Sequence, residues 1–142
     1  MVVEQKQPRP PRTRESVEGC PVFIAAQVLG KKWSILILQE MMFPEAKDGL
    51  RFSEIQRDLD WITPKVLSQR LSELKEMGII SRTVDPDMIP PSVTYKLTEK
   101  GMGLRDAIVA MQNWGRDHGH EVNDDCEGDN FVGCHDCRAH DI

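Results

Sequence analysis

The 142-residue chain predicts a mainly helical fold with a small β-wing. Three observations carry that prediction. Residues 53–59 and 64–77 read as two short helices joined by a tight connection, and the second has Leu67, Leu71 and Leu74 at i, i+4 and i+7. Residues 79–84 and 93–97 alternate and are rich in β-branched side chains, as paired strands are. Between them, Asp85 to Ser92 is a loop stiffened by Pro86, Pro90 and Pro91. A helix pair followed by two strands and a protruding loop is a winged helix-turn-helix.

The other elements follow in order. Residues 1–19 are polar, rich in proline and without periodicity, so they read as a flexible arm. Its Lys6, Arg9, Arg12 and Arg14 either touch a phosphate backbone or are simply solvated. Pro21 to Leu29 is a short apolar helix with proline in its first turn and Gly30 at its end. Trp33 to Met42 is apolar on almost every face, which places it inside a small core. Residues 43–49 turn, and Leu50 to Phe52 is a brief extended step. Ser53 and Gln56 have the spacing of a capping box opening the next helix. Thr63-Pro64 supplies an N-cap and a first-position proline for the helix that stops at Gly78. Thr98 caps a last helix running to about Trp114, whose stripe of Leu104, Ala107, Ile108, Met111 and Trp114 is too apolar for a free surface. That stripe covers the core or pairs with a second subunit.

Composition divides the chain further. The formal net charge is −5, which at first sight argues against a nucleic-acid partner. Residues 1–117, however, carry 17 basic and 16 acidic side chains, while residues 118–142 carry Arg138 alone against seven acids. The expected organisation is therefore an arm over 1–19, a winged-helix and dimerisation domain over 20–117, and an acidic Cys/His-rich tail over 118–142. No apolar run approaches the roughly 18 residues that span a bilayer, and the N-terminus has no apolar signal core. A cytoplasmic protein with no membrane partner is expected. Four cysteines without an export signal do not suggest a disulfide scaffold.

The polar face of the second helix suggests its chemistry. Lys65, Gln69, Ser72 and Glu76 lie opposite the leucines, with Ser68 beside them. A recognition helix docks its N-terminal residues against base edges in the major groove of duplex DNA, and here those are Thr63, Pro64, Lys65, Ser68 and Gln69. Glutamine bonds adenine bidentately, lysine suits guanine and serine reads either base. Arg70 and Arg82 are the expected phosphate contacts, and Ser53 completes the DNA-binding set. The competing reading is a solvated face on a winged helix that binds protein and not DNA.

Residues 20–115 resemble the HxlR-type winged helix-turn-helix transcriptional regulators. The resemblance rests on Cys20-Pro21, on Gly30 to Leu38, on Gly49 to Ile55, on Ile62 to Leu74, on Gly78 to Arg82 and on Pro90 to Gly101. It implies a sequence-specific regulator, acting as a repressor. It also implies a homodimer formed by the first and last helices, with each recognition helix in a successive major groove of a roughly palindromic operator. Ser92 departs from the pattern, since the family often has a basic residue at that point of the wing. Cys20 matches the position at which several members keep a redox- or electrophile-sensing cysteine. The alternative is a small packed residue beside the dimer interface.

The tail lies outside that resemblance. Cys126, Cys134 and Cys137, with His135 inside the closer pair and His120 and His140 flanking, are zinc-type ligands at partly suitable spacing. A zinc site, a reversible thiol pair and an inert acidic tail all fit the residues. No enzyme constellation is present: there is no Gly-rich phosphate loop, no G-x-S-x-G and no histidine before residue 118 to act as a base. The CxxC has no βαβ setting, which argues against a thiol oxidoreductase.

Overall fold

A computed structural model describes residues 3–119. They belong to two compact units divided between Lys31 and Lys32.

The first unit holds two helices. The arm was expected to lack regular structure, yet it contains α1, Arg14–Glu18. Thr13 explains the difference, because its hydroxyl accepts from the Ser16 N–H at 3.1 Å and so caps the turn. Arg14 and Glu18 add an i,i+4 ion pair at 3.4 Å. The second helix, α2, is Pro21–Leu29, with Cys20 as N-cap and Gly30 closing it through a bond to the Ala26 carbonyl. Val22 and Ile24 are exposed on α2.

The second unit is the winged helix. Helix α3 is Ser34–Met42, with Ile37 and Leu38 completely buried. Strand β1 is Leu50–Arg51, α4 is Phe52–Asp58 and α5 is Pro64–Glu76. Strands β2, Ile80–Asp85, and β3, Ser92–Leu97, form the wing. The chain then forms α6, Glu99–Met102, and α7, Arg105–His118. The sheet is antiparallel in the order β1-β3-β2, so the extended step before α4 is a third strand on the edge of the wing. Leu50 faces Tyr95, while the β2–β3 register runs from Ile80 opposite Leu97 to Asp85 opposite Ser92.

Leu67, Leu71 and Leu74 of α5 are buried with Ile55, Ile62, Ile80 and Ile108. Each such side chain contributes roughly 1.5–3 kcal/mol by leaving water. The leucine stripe therefore fixes the rotation of α5 and turns its opposite face outward.

Two expectations about helix ends are corrected. Arg51, not Ser53, is the N-cap of α4: Glu54 Oε1 accepts from the Arg51 N–H at 3.0 Å, and Ser53 sits one residue inside the helix. The long carboxylate reaches back three residues, so it sets the start earlier than the serine would. The last helix is also broken, at Gly103-Leu104, into α6 and α7. Thr98 does cap α6, accepting from the Gly101 N–H at 3.1 Å and donating to the Gly78 carbonyl at 2.6 Å. Gly101 lies so close to the Ile79 carbonyl that any Cβ would collide with it. Gly78 ends α5 at φ 74°, a left-handed conformation that glycine adopts without steric cost.

Among the described residues, no single helix is long and apolar enough to cross a membrane.

Candidate nucleic-acid interface

The turn between α4 and α5 is held from inside. Gln56 Nε2 donates to the Ile62 carbonyl at 2.6 Å and lies 3.4 Å from the Leu59 carbonyl. Ile62 is buried, which anchors the turn to the core. One residue later the Thr63 hydroxyl accepts from the Val66 N–H at 3.3 Å. Pro64 occupies the first helical position. The start of α5 is thus capped and tied to the turn before it.

Thr63, Pro64, Lys65, Ser68 and Gln69 are all exposed on this end of α5. Lys65 and Gln69 share one face at i and i+4, with Ser68 adjacent. Gln69 Nε2 lies 3.4 Å from Glu73 Oε1, a long contact that leaves the amide available to a stronger partner. Ser53 is exposed in the first turn of α4, and Arg82 is exposed on β2 opposite Tyr95.

Arg70 has a different setting from its expected role at a phosphate. Its Nε donates to the Lys32 carbonyl at 3.0 Å, and its Nη1 pairs with Glu73 at 3.3 Å. At 100° per residue, Arg70 and Glu73 lie on the flank of α5, between the leucine stripe and the Lys65–Gln69 face. The guanidinium therefore ties α5 to the start of α3.

That start has unusual geometry. Trp33 caps α3 at φ 74°, left-handed and costly by about 1–3 kcal/mol for a bulky residue. Its ring meets the Trp61 ring edge-to-face with centroids 4.5 Å apart. Lys32 Nζ lies 4.6 Å from the centroid of the Trp33 ring. None of Gln56, Glu73, Lys32, Trp33 and Trp61 stood out in the sequence as an interface residue. The Lys32–Arg70 and Trp33–Trp61 contacts join residues distant in the chain, which no local spacing signals.

Cys20 is a free thiol of intermediate exposure at the start of α2. The backbone N–H groups of Phe23 and Val22 hold its thiol below the ordinary range, and Arg12 lowers it further by side-chain hydrogen bonding and charge. The helix start was legible as a cause, whereas Arg12 as a partner was not. Among the described residues no group of three metal-ligating side chains comes together. The zinc-type set Cys126, Cys134, His135 and Cys137 lies outside the described residues.

The helix pair, the capped α5 and the β-wing agree with a family model described as HxlR-like helix-turn-helix, which matches residues 28–123. The chain belongs to the HxlR-like helix-turn-helix family. Its HxlR-like relatives include an HTH-type transcriptional regulator of Methanothermobacter thermautotrophicus, 42% identical over 73% of this chain and 76% of that protein. Another is the HTH-type transcriptional regulator YodB of Bacillus subtilis, 40% identical over 67% of this chain and 81% of the relative. Among solved structures, the redox regulator HypR in its oxidised form is 36% identical with a TM-score of 0.61, covering 72% of this chain and all of HypR. Reduced YodB of Bacillus subtilis is 37% identical with a TM-score of 0.61, covering 73% of this chain and 98% of YodB. The winged helix is thus common to this chain and these HxlR-like regulators.

Proposed function

We propose that this HxlR-like protein is a sequence-specific DNA-binding transcriptional regulator, a repressor and not an enzyme, acting in the cytoplasm as a homodimer on a roughly palindromic operator. The observation that carries this reading is the exposed Lys65–Ser68–Gln69 face on a capped α5 whose other side is locked into the core by three leucines. In each subunit Lys65, Ser68 and Gln69 read bases, while Ser53 and Arg82 meet phosphates. The apolar exposure of Val22 and Ile24 on α2, and separately of Met111 and Trp114 on α7, supports dimerisation through these helices.

Cys20 is the sensing thiol in this reading. Its thiolate attacks the S–S bond of a low-molecular-weight disulfide, forming a mixed disulfide at Cys20 and releasing the other sulfur as a thiolate. The modified cap at the start of α2 then alters the dimer and with it the affinity for DNA. The likeness to redox regulators in oxidised and reduced forms supports this role.

A labelled duplex from the protein's own upstream region tests the reading. Binding that weakens steeply with salt, and weakens again after oxidant in the wild type but not in Cys20→Ser, is the expected result. Absence of binding at low salt would mean that the winged helix serves a protein partner instead.

A further inference from the structure

The outward face of α5 accounts for base contacts, but of the two arginines expected at the phosphate backbone only Arg82 is exposed. The wing loop from Asp85 to Ser92 has two aspartates and no basic residue. Arg70 is held against Glu73 and the Lys32 carbonyl. Phosphate contacts supply a large share of the affinity of a DNA-binding domain, so further cations beside α5 would add to what Arg82 supplies.

We propose that Lys32 and Trp61, braced by Trp33, form a second contact with the sugar–phosphate backbone, flanking the recognition helix. This inference rests on the DNA-binding reading above. Trp61 lies two residues before the Thr63 cap and is 54% exposed despite its size. It is pinned edge-to-face by Trp33. Lys32 is exposed, and its ammonium is held over the same Trp33 ring. The Lys32 carbonyl is in turn fastened to the flank of α5 by Arg70. A lysine and an indole, each in contact with the Trp33 ring, are thus presented beside the half of α5 that enters the groove. Preorganisation lowers the entropy lost on binding. The ammonium matches a phosphate, and the indole suits the apolar face of a deoxyribose. The left-handed backbone at Trp33, maintained by these contacts, is a strained feature of the kind that collects at functional positions.

Lys32→Gln and Trp61→Ala, with Trp61→Phe as the conservative variant, test the proposal in the full-length protein. Binding is titrated on the upstream duplex and on an unrelated duplex at several salt concentrations, with circular dichroism to verify folding. Lys32→Gln is expected to weaken both complexes alike, and to reduce the salt dependence by about one released counterion per subunit. Trp61→Ala should weaken both by roughly tenfold, and Trp61→Phe should restore most of that loss. If wild type binds but Lys32→Gln retains its affinity and salt dependence, the inference fails while the regulator reading survives. A loss confined to the upstream duplex with unchanged salt dependence also overturns it, because these residues would then be reading bases. If wild type binds neither duplex, the regulator reading itself fails. Should Trp61→Ala not fold, Lys32→Gln decides alone, since it alters only an exposed side chain.

Discussion

The Nε of Arg70 donates to the Lys32 carbonyl oxygen at 3.0 Å, joining the recognition helix to a residue 38 positions earlier in the chain. The same guanidinium pairs with Glu73 one turn further along α5. A conspicuous arginine on the recognition helix is therefore half-buried and engaged within the protein.

Arg70→Ala should accordingly lower stability before it lowers DNA affinity. Loss of the charged hydrogen bond to the Lys32 carbonyl, together with the part-buried pairing with Glu73, costs on the order of 1–3 kcal/mol. Thermal unfolding followed by circular dichroism measures it. An unchanged melting temperature with a smaller salt dependence of DNA binding would return Arg70 to a phosphate.

Gln69→Ala should weaken the specific complex by ~1–3 kcal/mol and leave the non-specific complex nearly unchanged, if the amide reads a base. Parallel titrations on operator and unrelated duplex separate the cases. An equal loss on both would place Gln69 at the backbone.

Gln56→Leu should strip the α4–α5 turn of its internal donor. The Ile62 carbonyl loses a 2.6 Å bond at a part-buried position. A stability loss of about 1–3 kcal/mol is expected, together with weaker binding on every duplex, because the start of α5 loses its fixed position. Denaturant titration and hydrogen exchange at the turn check it.

Cys20 should stay reactive to lower pH than an ordinary thiol. The N–H groups of Phe23 and Val22, and then Arg12, favour its thiolate, so its folded-state pKa is lowered. The charged form and the contacts that favour it are fully present above the ordinary thiol range, and are lost as pH falls through the lowered folded-state value. The rate of iodoacetamide alkylation against pH reports the midpoint. Arg12→Ala should move the midpoint upward, and an unmoved midpoint would leave the helix start as the whole cause.

Protein purified without chelator should contain about one zinc per chain if Cys126, Cys134, Cys137 and His135 act together as ligands. Cys134→Ser should then abolish it. Metal-free wild type would leave the reversible thiol pair and the inert acidic tail as the readings of this segment.

Several elements were legible because their signals are local. The Thr63-Pro64 start, the leucine stripe and the Gly78 stop lie within one helix, and each is where the spacing placed it. The two wing strands shift by a residue or less at their ends. Ser53 failed as a cap because Glu54 competes for the same turn and bonds the Arg51 N–H. The break at Gly103 went unread although the apolar stripe begins only after it, at Leu104, and Gly101 and Gly103 flank Met102. Gly101 lies against the Ile79 carbonyl from another part of the fold, a close approach that local periodicity does not signal.

By itself the sequence determined the class of fold, the family, the outward face of the recognition helix and the division into a nearly neutral body and an acidic tail. Those follow from periodicity, capping chemistry and composition, which are properties of neighbours along the chain. Only the tertiary structure decided that Arg70 bonds the Lys32 carbonyl, that Gln56 holds the turn, that Arg12 attends Cys20 and that Lys32, Trp33 and Trp61 form one platform. Each of these depends on which side chains meet through space. Such meetings are set by how the leucine stripe rotates α5 and by where the chain returns, and no spacing of residues records them.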